Sequence, residues 1–166
     1  MEHVLGKTVR PGTCLFEPPG EGCCAKEDLL LYRNGDCICL LNRFPYTNGH
    51  LLVAPTRHVS CITELNEKEM PPLMALASAA TAILRRILAP DGFNIGLNIG
   101  SEAGAGIADH LHFHIVPRWR DDVNFMTVLA DVRAIPEHIE TTYDRLLPEF
   151  QAYYQLQQTR HHASTA

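Results

Sequence analysis

The sequence predicts an α+β fold: an antiparallel sheet of about five strands, one long helix and a C-terminal helix. Three observations predict it. Two apolar runs, residues 29–33 and 36–42, flank Asn34-Gly35, a dipeptide suited to a tight hairpin turn. Apolar residues then recur at helical spacing from Leu73 to Leu88. Residues 110–116 read His-Leu-His-Phe-His-Ile-Val, the alternation of a strand with two unlike faces.

Each element follows from its local residues. Residues 1–26 carry Pro11-Gly12 and Pro18-Pro19-Gly20 and read as an irregular arm. After the hairpin, Phe44–Gly49 is a turn-rich loop, and His50–Pro55 is a third strand closed by its proline. Asn66 and Glu69 have capping-box spacing, but Pro71-Pro72 make the regular helix begin afresh there. Leu73, Leu76, Ala77, Ala80, Ile83, Leu84, Ile87 and Leu88 form its buried face, and Pro90, Asp91 and Gly92 end it. Phe93–Ile99 is a fourth strand, Gly100–Gly106 a glycine-rich loop and Asp109–Val116 a fifth strand. Pro136–Leu147 is helical in pattern, Pro148 interrupts it, Glu149–Gln157 resumes it, and the polar residues 158–166 fray. The chain thus divides into an arm (1–26), a main domain (27–147) and a helical extension with a tail (148–166).

A length of 166 residues fits one such domain, and 46% hydrophobic with 20% charged residues excludes a wholly disordered chain. The formal charge of -5 argues against a surface that neutralises nucleic-acid phosphates. No apolar run is long enough to span a membrane, and Met1–Arg10 has no signal-peptide core. The six cysteines, including the adjacent Cys23-Cys24, therefore read as reduced thiols of a cytoplasmic protein.

The informative number is nine histidines. His110, His112 and His114 share one strand face, while Leu111, Phe113 and Ile115 share the other and can pack on the long helix. Three imidazoles are poor packing material and costly to bury unpaired. Two chemical readings remain: a shared metal, or a nucleophilic imidazole whose neighbours hold a charged substrate. Just upstream, Asn98-Ile-Gly-Ser-Glu-Ala-Gly-Ala-Gly106 is a loop whose glycines let backbone amides approach an anion, which favours the second reading. A neutral imidazole, with an unperturbed pKa of about 6.5, is both nucleophile and tolerable leaving group near neutrality. The sequence has no P-loop motif.

The segment HLHFHIVPRW, with LNRFPYTNGHLLVAPTRHV at residues 41–59, resembles the histidine triad (HIT) superfamily. DDVNFMTV at 121–128 and TYDRL at 142–146 are similar to the bacterial branch related to diadenosine tetraphosphate phosphorylase (ATP adenylyltransferase). The resemblance implies a nucleotidyl hydrolase or transferase of adenine nucleotides or dinucleotides, with water or phosphate as acceptor. It implies a homodimer whose sheets join edge to edge. It makes His112 the nucleophile that forms a nucleotidyl-histidine intermediate, His114 a contact to the α-phosphate, and His110 a partner of His50 that orients the strand. It assigns Asn42 to the ribose hydroxyls, Phe44 to the base pocket, Asn98 with Gly104, Ala105 and Gly106 to the phosphates, and Asn124 and Phe125 to the site lining. Diadenosine polyphosphate phosphorolysis or hydrolysis is the leading expectation. A nucleoside phosphoramidase or adenylyl hydrolase, and a nucleotide-sensing module with negligible turnover, are the alternatives.

No cofactor is required by this chemistry. Many relatives in the resembled family hold structural zinc on Cys-x-x-Cys and two histidines, but here Glu17 stands where the second cysteine would be. Cys14, Glu17, His58 and His110 are weak zinc candidates, and a solvated Glu17 and surface His58 are the commoner outcome, so zinc is disfavoured. His138, His161 and His162 read as incidental.

Overall fold

The computed structural model of the chain describes residues 14–17, 26–122 and 137–164, with side chains as far as 160. Most of the arm, Cys23-Cys24, Asn124, Phe125 and the side chains of His161 and His162 lie outside the described residues. The elements are β1 (Leu30–Arg33), β2 (Cys37–Leu41), β3 (Leu51–Pro55), α1 (Met70–Leu88), β4 (Gly92–Leu97), β5 (Phe113–Arg118) and α2 (Ile139–Ser164). The strands form one antiparallel sheet in the order β1-β2-β3-β5-β4, as the α+β expectation requires.

The β1–β2 turn is shifted by one residue from the expected Asn34-Gly35. The Asn34 N–H donates to the Cys37 carbonyl at 3.0 Å, so Gly35 and Asp36 are the central pair. The cause is the Asn34 side chain, whose Oδ1 accepts the N–H groups of Asp36 (3.0 Å) and Cys37 (2.7 Å) and so favours the first corner.

The capping box forms, ahead of the helix. The Asn66 N–H donates to Glu69 Oε2 at 2.9 Å and the Glu69 N–H to Asn66 Oδ1 at 3.2 Å; α1 then starts at Met70 with the prolines in its first turn. Its buried residues Leu73, Leu76, Ala77, Ala80, Ile83 and Leu84 pack on Leu51, Val53, Phe113 and Ile115 from one face of the sheet. Each fully buried leucine there contributes roughly 2 kcal/mol. The entry to β3 passes close beneath the end of α1. Gly49, at φ +74, has no room for a side chain, since a Cβ would collide with Leu88 Cδ1 and stand 3.2 Å from Leu84 Cδ2. The opposite sheet face carries a second cluster, Leu30, Ile38, Leu40, Leu52 and Ala54, covered by Phe16 from the arm. The histidines share that face.

Two boundaries differ from expectation for identifiable reasons. Pro148 does not interrupt the last helix, which runs from Ile139 to Ser164. A proline removes the bond to the carbonyl four residues back, but Pro148 and Asp144 both face solvent, where water serves that carbonyl, while Tyr143, Leu146 and Phe150 hold the inner face. The fifth strand begins at Phe113, not Asp109. Both pairings stop there: β4 ends at Leu97, opposite Phe113, and the ladder to β3 ends with Val53 opposite Phe113. His110–His112 therefore form an extended lead-in, tied by the Leu111 N–H to the Val59 carbonyl at 2.6 Å. Among the described residues no helix is long and apolar enough to cross a membrane.

Candidate active site

Strand register decides which histidines meet. β3 and β5 pair with Leu52 opposite His114 and Leu51 opposite Ile115, so His50, just before β3, lies diagonal to His114 on the same face. His50 Nε2 is 2.9 Å from His114 Nδ1. This corrects the expected His50–His110 pair: extending the register sets His110 near the far end of β3, where its Nε2 lies 2.9 Å from the Pro55 carbonyl.

The partners fix the protons. The Tyr46 backbone N–H donates to His50 Nδ1 at 3.1 Å, and Asn42 Nδ2 stands 3.2 Å from the same nitrogen. Nδ1 of His50 is thus an acceptor, so Nε2 carries the proton and donates it to His114 Nδ1. The His114 proton then sits on Nε2, a buried nitrogen with no hydrogen-bond partner among the described residues. His112 is fixed the other way round. Its Nδ1 lies 2.7 Å from the His110 carbonyl, which can only accept, so Nδ1–H donates and Nε2 keeps its lone pair. The His112 and His114 rings are 4.8 Å apart. The two adjacent rings therefore differ in kind: His112 keeps a nucleophilic lone pair on Nε2 and His114 keeps an N–H donor there.

Burial pushes all three imidazoles towards the neutral form. For His114 burial, with the neighbouring His112 adding to it, lowers the pKa to about 4. Phe16 closes the back of the site, its ring centroid 4.9 Å from His110 and 5.1 Å from His112.

Asn42 is oriented by accepting the Phe44 N–H on Oδ1 at 3.0 Å, which leaves a second amide proton and a second lone pair for a ligand. Phe44 is 48% exposed beside it, as a base platform must be. The register pairing Leu97 with Phe113 leads Asn98 out of β4 towards His112, and Asn98 Nδ2 approaches the Gly104 carbonyl at 3.5 Å. In the glycine loop, Gly100 and Gly104 adopt φ +83. The Gly104 and Ala105 N–H groups donate within the loop, to Ser101 and Gly100 carbonyls, whereas the position of a Gly106 Cβ is open space. Sequence reasoning missed Tyr46 and Phe16. Tyr46 sits inside the quoted Phe-Pro-Tyr-Thr-Asn-Gly-His run and was available as a neighbour of His50; nothing in the arm marks Phe16.

The weak zinc candidates converge more than expected. Donor atoms of Cys14, His58 and His110 lie within 4.8 Å of one another, with Cys14 Sγ 3.2 Å from His110 Nδ1 and Glu17 Oε1 3.0 Å from His58 Nδ1. Bond lengths near 2.0–2.3 Å need ligand atoms about 3.5 Å apart, a modest closure. The other ring nitrogen of His110 is already oriented by a backbone carbonyl, as a ligating histidine's usually is. This donor set fits a structural zinc.

A model of the HIT domain matches residues 25–121 of the chain. The AP-4-A phosphorylase of Mycobacterium tuberculosis H37Rv is 39% identical over 125 residues, 75% of this chain and 64% of that protein. The chain therefore spans just under two thirds of that relative's length. The asymmetrical bis(5'-nucleosyl)-tetraphosphatase of Schizosaccharomyces pombe is 29% identical over 56% of this chain and 50% of its own. A zinc-bound histidine triad family protein from Mycobacterium smegmatis superposes with TM-score 0.61 and 26% identity, covering 77% of this chain and 87% of that one.

Proposed function

The chain belongs to the HIT domain family, and on that premise we propose that it is a nucleotidyl hydrolase or transferase whose substrates are adenine dinucleotides, specifically a diadenosine polyphosphate phosphorylase or hydrolase. The observation that carries this reading is the opposed proton arrangement of His112 and His114.

His112 Nε2 attacks the α-phosphorus. The bond from phosphorus to the bridging oxygen breaks, its electron pair leaves with the polyphosphate product, and a nucleotidyl-His112 intermediate forms. The His110 carbonyl, accepting from His112 Nδ1, stabilises the positive ring this creates. The His114 Nε2–H donates to a non-bridging oxygen as charge develops there. Water or phosphate then attacks the same phosphorus, gives up a proton, and returns His112 as the leaving group. Asn42 and Phe44 take the ribose and base, and Asn98 with Gly106 takes the phosphates, the Gly104 and Ala105 amides being used within the loop. No metal is needed for these steps. A zinc held by Cys14, His58 and His110 would brace the arm against the lead-in to β5.

The exposed edge strand β4, with Ile95 49% exposed on its helix side, supports a homodimer joined at that edge. Buried thiols at Cys37 and Cys39, packed as apolar side chains, support a cytoplasmic location.

Diadenosine tetraphosphate, offered with and without phosphate, tests the reading. Phosphorolysis gives ATP plus ADP and hydrolysis through the same intermediate gives AMP plus ATP, whereas two ADP would mean attack at a β-phosphorus and would overturn the α-phosphoryl step. Tight AMP binding with no turnover of any dinucleotide would overturn it in favour of a sensing module.

A further inference from the structure

We infer that Tyr46 is a positioning residue of this site: its backbone N–H sets the proton pattern of the His50–His114 pair and its ring shields that pair, keeping the His114 Nε2–H aimed at the substrate. The inference rests on the nucleotidyl-transfer reading only for its kinetic consequence.

Tyr46 touches the pair in three ways. Its N–H reaches His50 Nδ1 at 3.1 Å. Its ring lies 4.6 Å from the His50 ring, and 5.8 Å from the His114 ring at an interplanar angle of 18°, close to parallel stacking. The loop that carries it is pinned on the far side, where Thr47 Oγ1 donates to the Pro117 carbonyl of β5 at 2.8 Å. With 44% of its surface exposed, the ring is placed between the imidazoles and solvent.

The consequence is a proton arrangement with one solution. Once a backbone N–H occupies His50 Nδ1, the proton of each neutral ring must sit on Nε2. If His114 took up a second proton at Nδ1, the His50 Nε2–H would face another donor and the pair would have to turn apart. Water at the imidazole–imidazole bond would favour that protonation; the aromatic ring opposes it by covering the bond. The titratable groups that face His114 among the described residues are His50 from the start of β3, His112 from its own segment and the Tyr46 phenol. On β4 its opposite residue is Gly96. Burial already holds His114 low, at about 4.

The full chain with nitrogen-15-labelled histidine tests this by NMR, which reads ring tautomers and the His114 midpoint directly. Tyr46→Phe keeps the ring and is expected to retain the native pattern. Tyr46→Ala keeps the backbone N–H but removes the shield. Its His114 midpoint should rise by about one pH unit or more towards the unperturbed value, while the retained backbone N–H keeps both neutral rings protonated at Nε2. In turnover of diadenosine tetraphosphate, the alanine variant should lose about tenfold in kcat while KM is little changed, and phenylalanine should rescue it. If the alanine variant does not fold, Tyr46→Leu, bulky but not aromatic, is read in its place. An unchanged midpoint without the ring overturns the inference, and so does loss of the native tautomers while the backbone N–H is retained. So does a phenylalanine variant that behaves like alanine, since the hydroxyl would then be the active part. The NMR measurement uses the free protein and stands whether or not any nucleotide is turned over.

Discussion

His112 Nδ1 lies 2.7 Å from the carbonyl oxygen of His110, so one triad residue sets the tautomer of the next through the main chain. No side-chain substitution at His110 removes that carbonyl. The nucleophile's orientation is therefore more robust than that of His114, which depends on the His50 side chain.

His112→Gly should abolish transfer, with kcat falling by about 10⁴-fold or more, while nucleotide affinity is largely retained. Trapping radiolabelled nucleotide on the native protein by acid quench, and its absence from the variant, checks the assignment. Native turnover in the variant would sink it.

Acid should destabilise the fold. His114 has a lower pKa folded (about 4) than unfolded (about 6.5), so between those values the unfolded chain binds the extra proton and stability falls as pH falls. Burial of His110 and His112 acts in the same direction. Urea unfolding at pH 7 and pH 4.5 should differ by on the order of 1–3 kcal/mol. His114→Asn, uncharged throughout, should flatten the slope.

Gly49→Ala should cost about 1–3 kcal/mol, because the new methyl runs into Leu88 Cδ1 in a left-handed backbone region. The displacement falls on the residue before His50, so activity should drop with stability. Thermal unfolding and turnover together would show it, and a variant native in both would refute the packing argument.

The loop carrying Tyr46 is also tied to α2. The buried Thr142 hydroxyl lies 2.8 Å from Asn48 Oδ1 and 2.7 Å from Glu137 Oε2, and holds the Glu137 carboxyl below its usual range. Thr142→Val should destabilise by about 1–3 kcal/mol, measured by urea unfolding, with Thr142→Ser much milder.

Turnover should survive exhaustive dialysis against a chelator, because no step of the transfer uses a metal. Loss of activity restored by zinc even in a Cys14→Ala variant, which lacks the structural site, would revive a metal-dependent hydrolase built on the three histidines.

Local chemistry was legible in the sequence where spacing alone decides it. The alternation through residues 110–116 put the imidazoles on one face, and the period of α1 named its buried residues. Pairings that depend on register were not. Which histidine meets His50 follows from how β3 slides along β5, and the expected His110 partner was wrong for that reason. Pro148 misled because its position faces solvent while Tyr143, Leu146 and Phe150 hold the inner face of the helix to the core. The convergence of Cys14 with His58 and His110 joins residues far apart in the chain, and no local pattern announces it.

The matched domain begins at residue 25, yet the ring lying over His110 and His112 belongs to Phe16. The helix that anchors the Asn48 turn begins at Ile139, past the other end of the match. A chain trimmed to the family boundary would keep its nucleophile while losing the wall behind it and the strut beneath it. The working unit of this protein therefore extends past the family boundary at both ends.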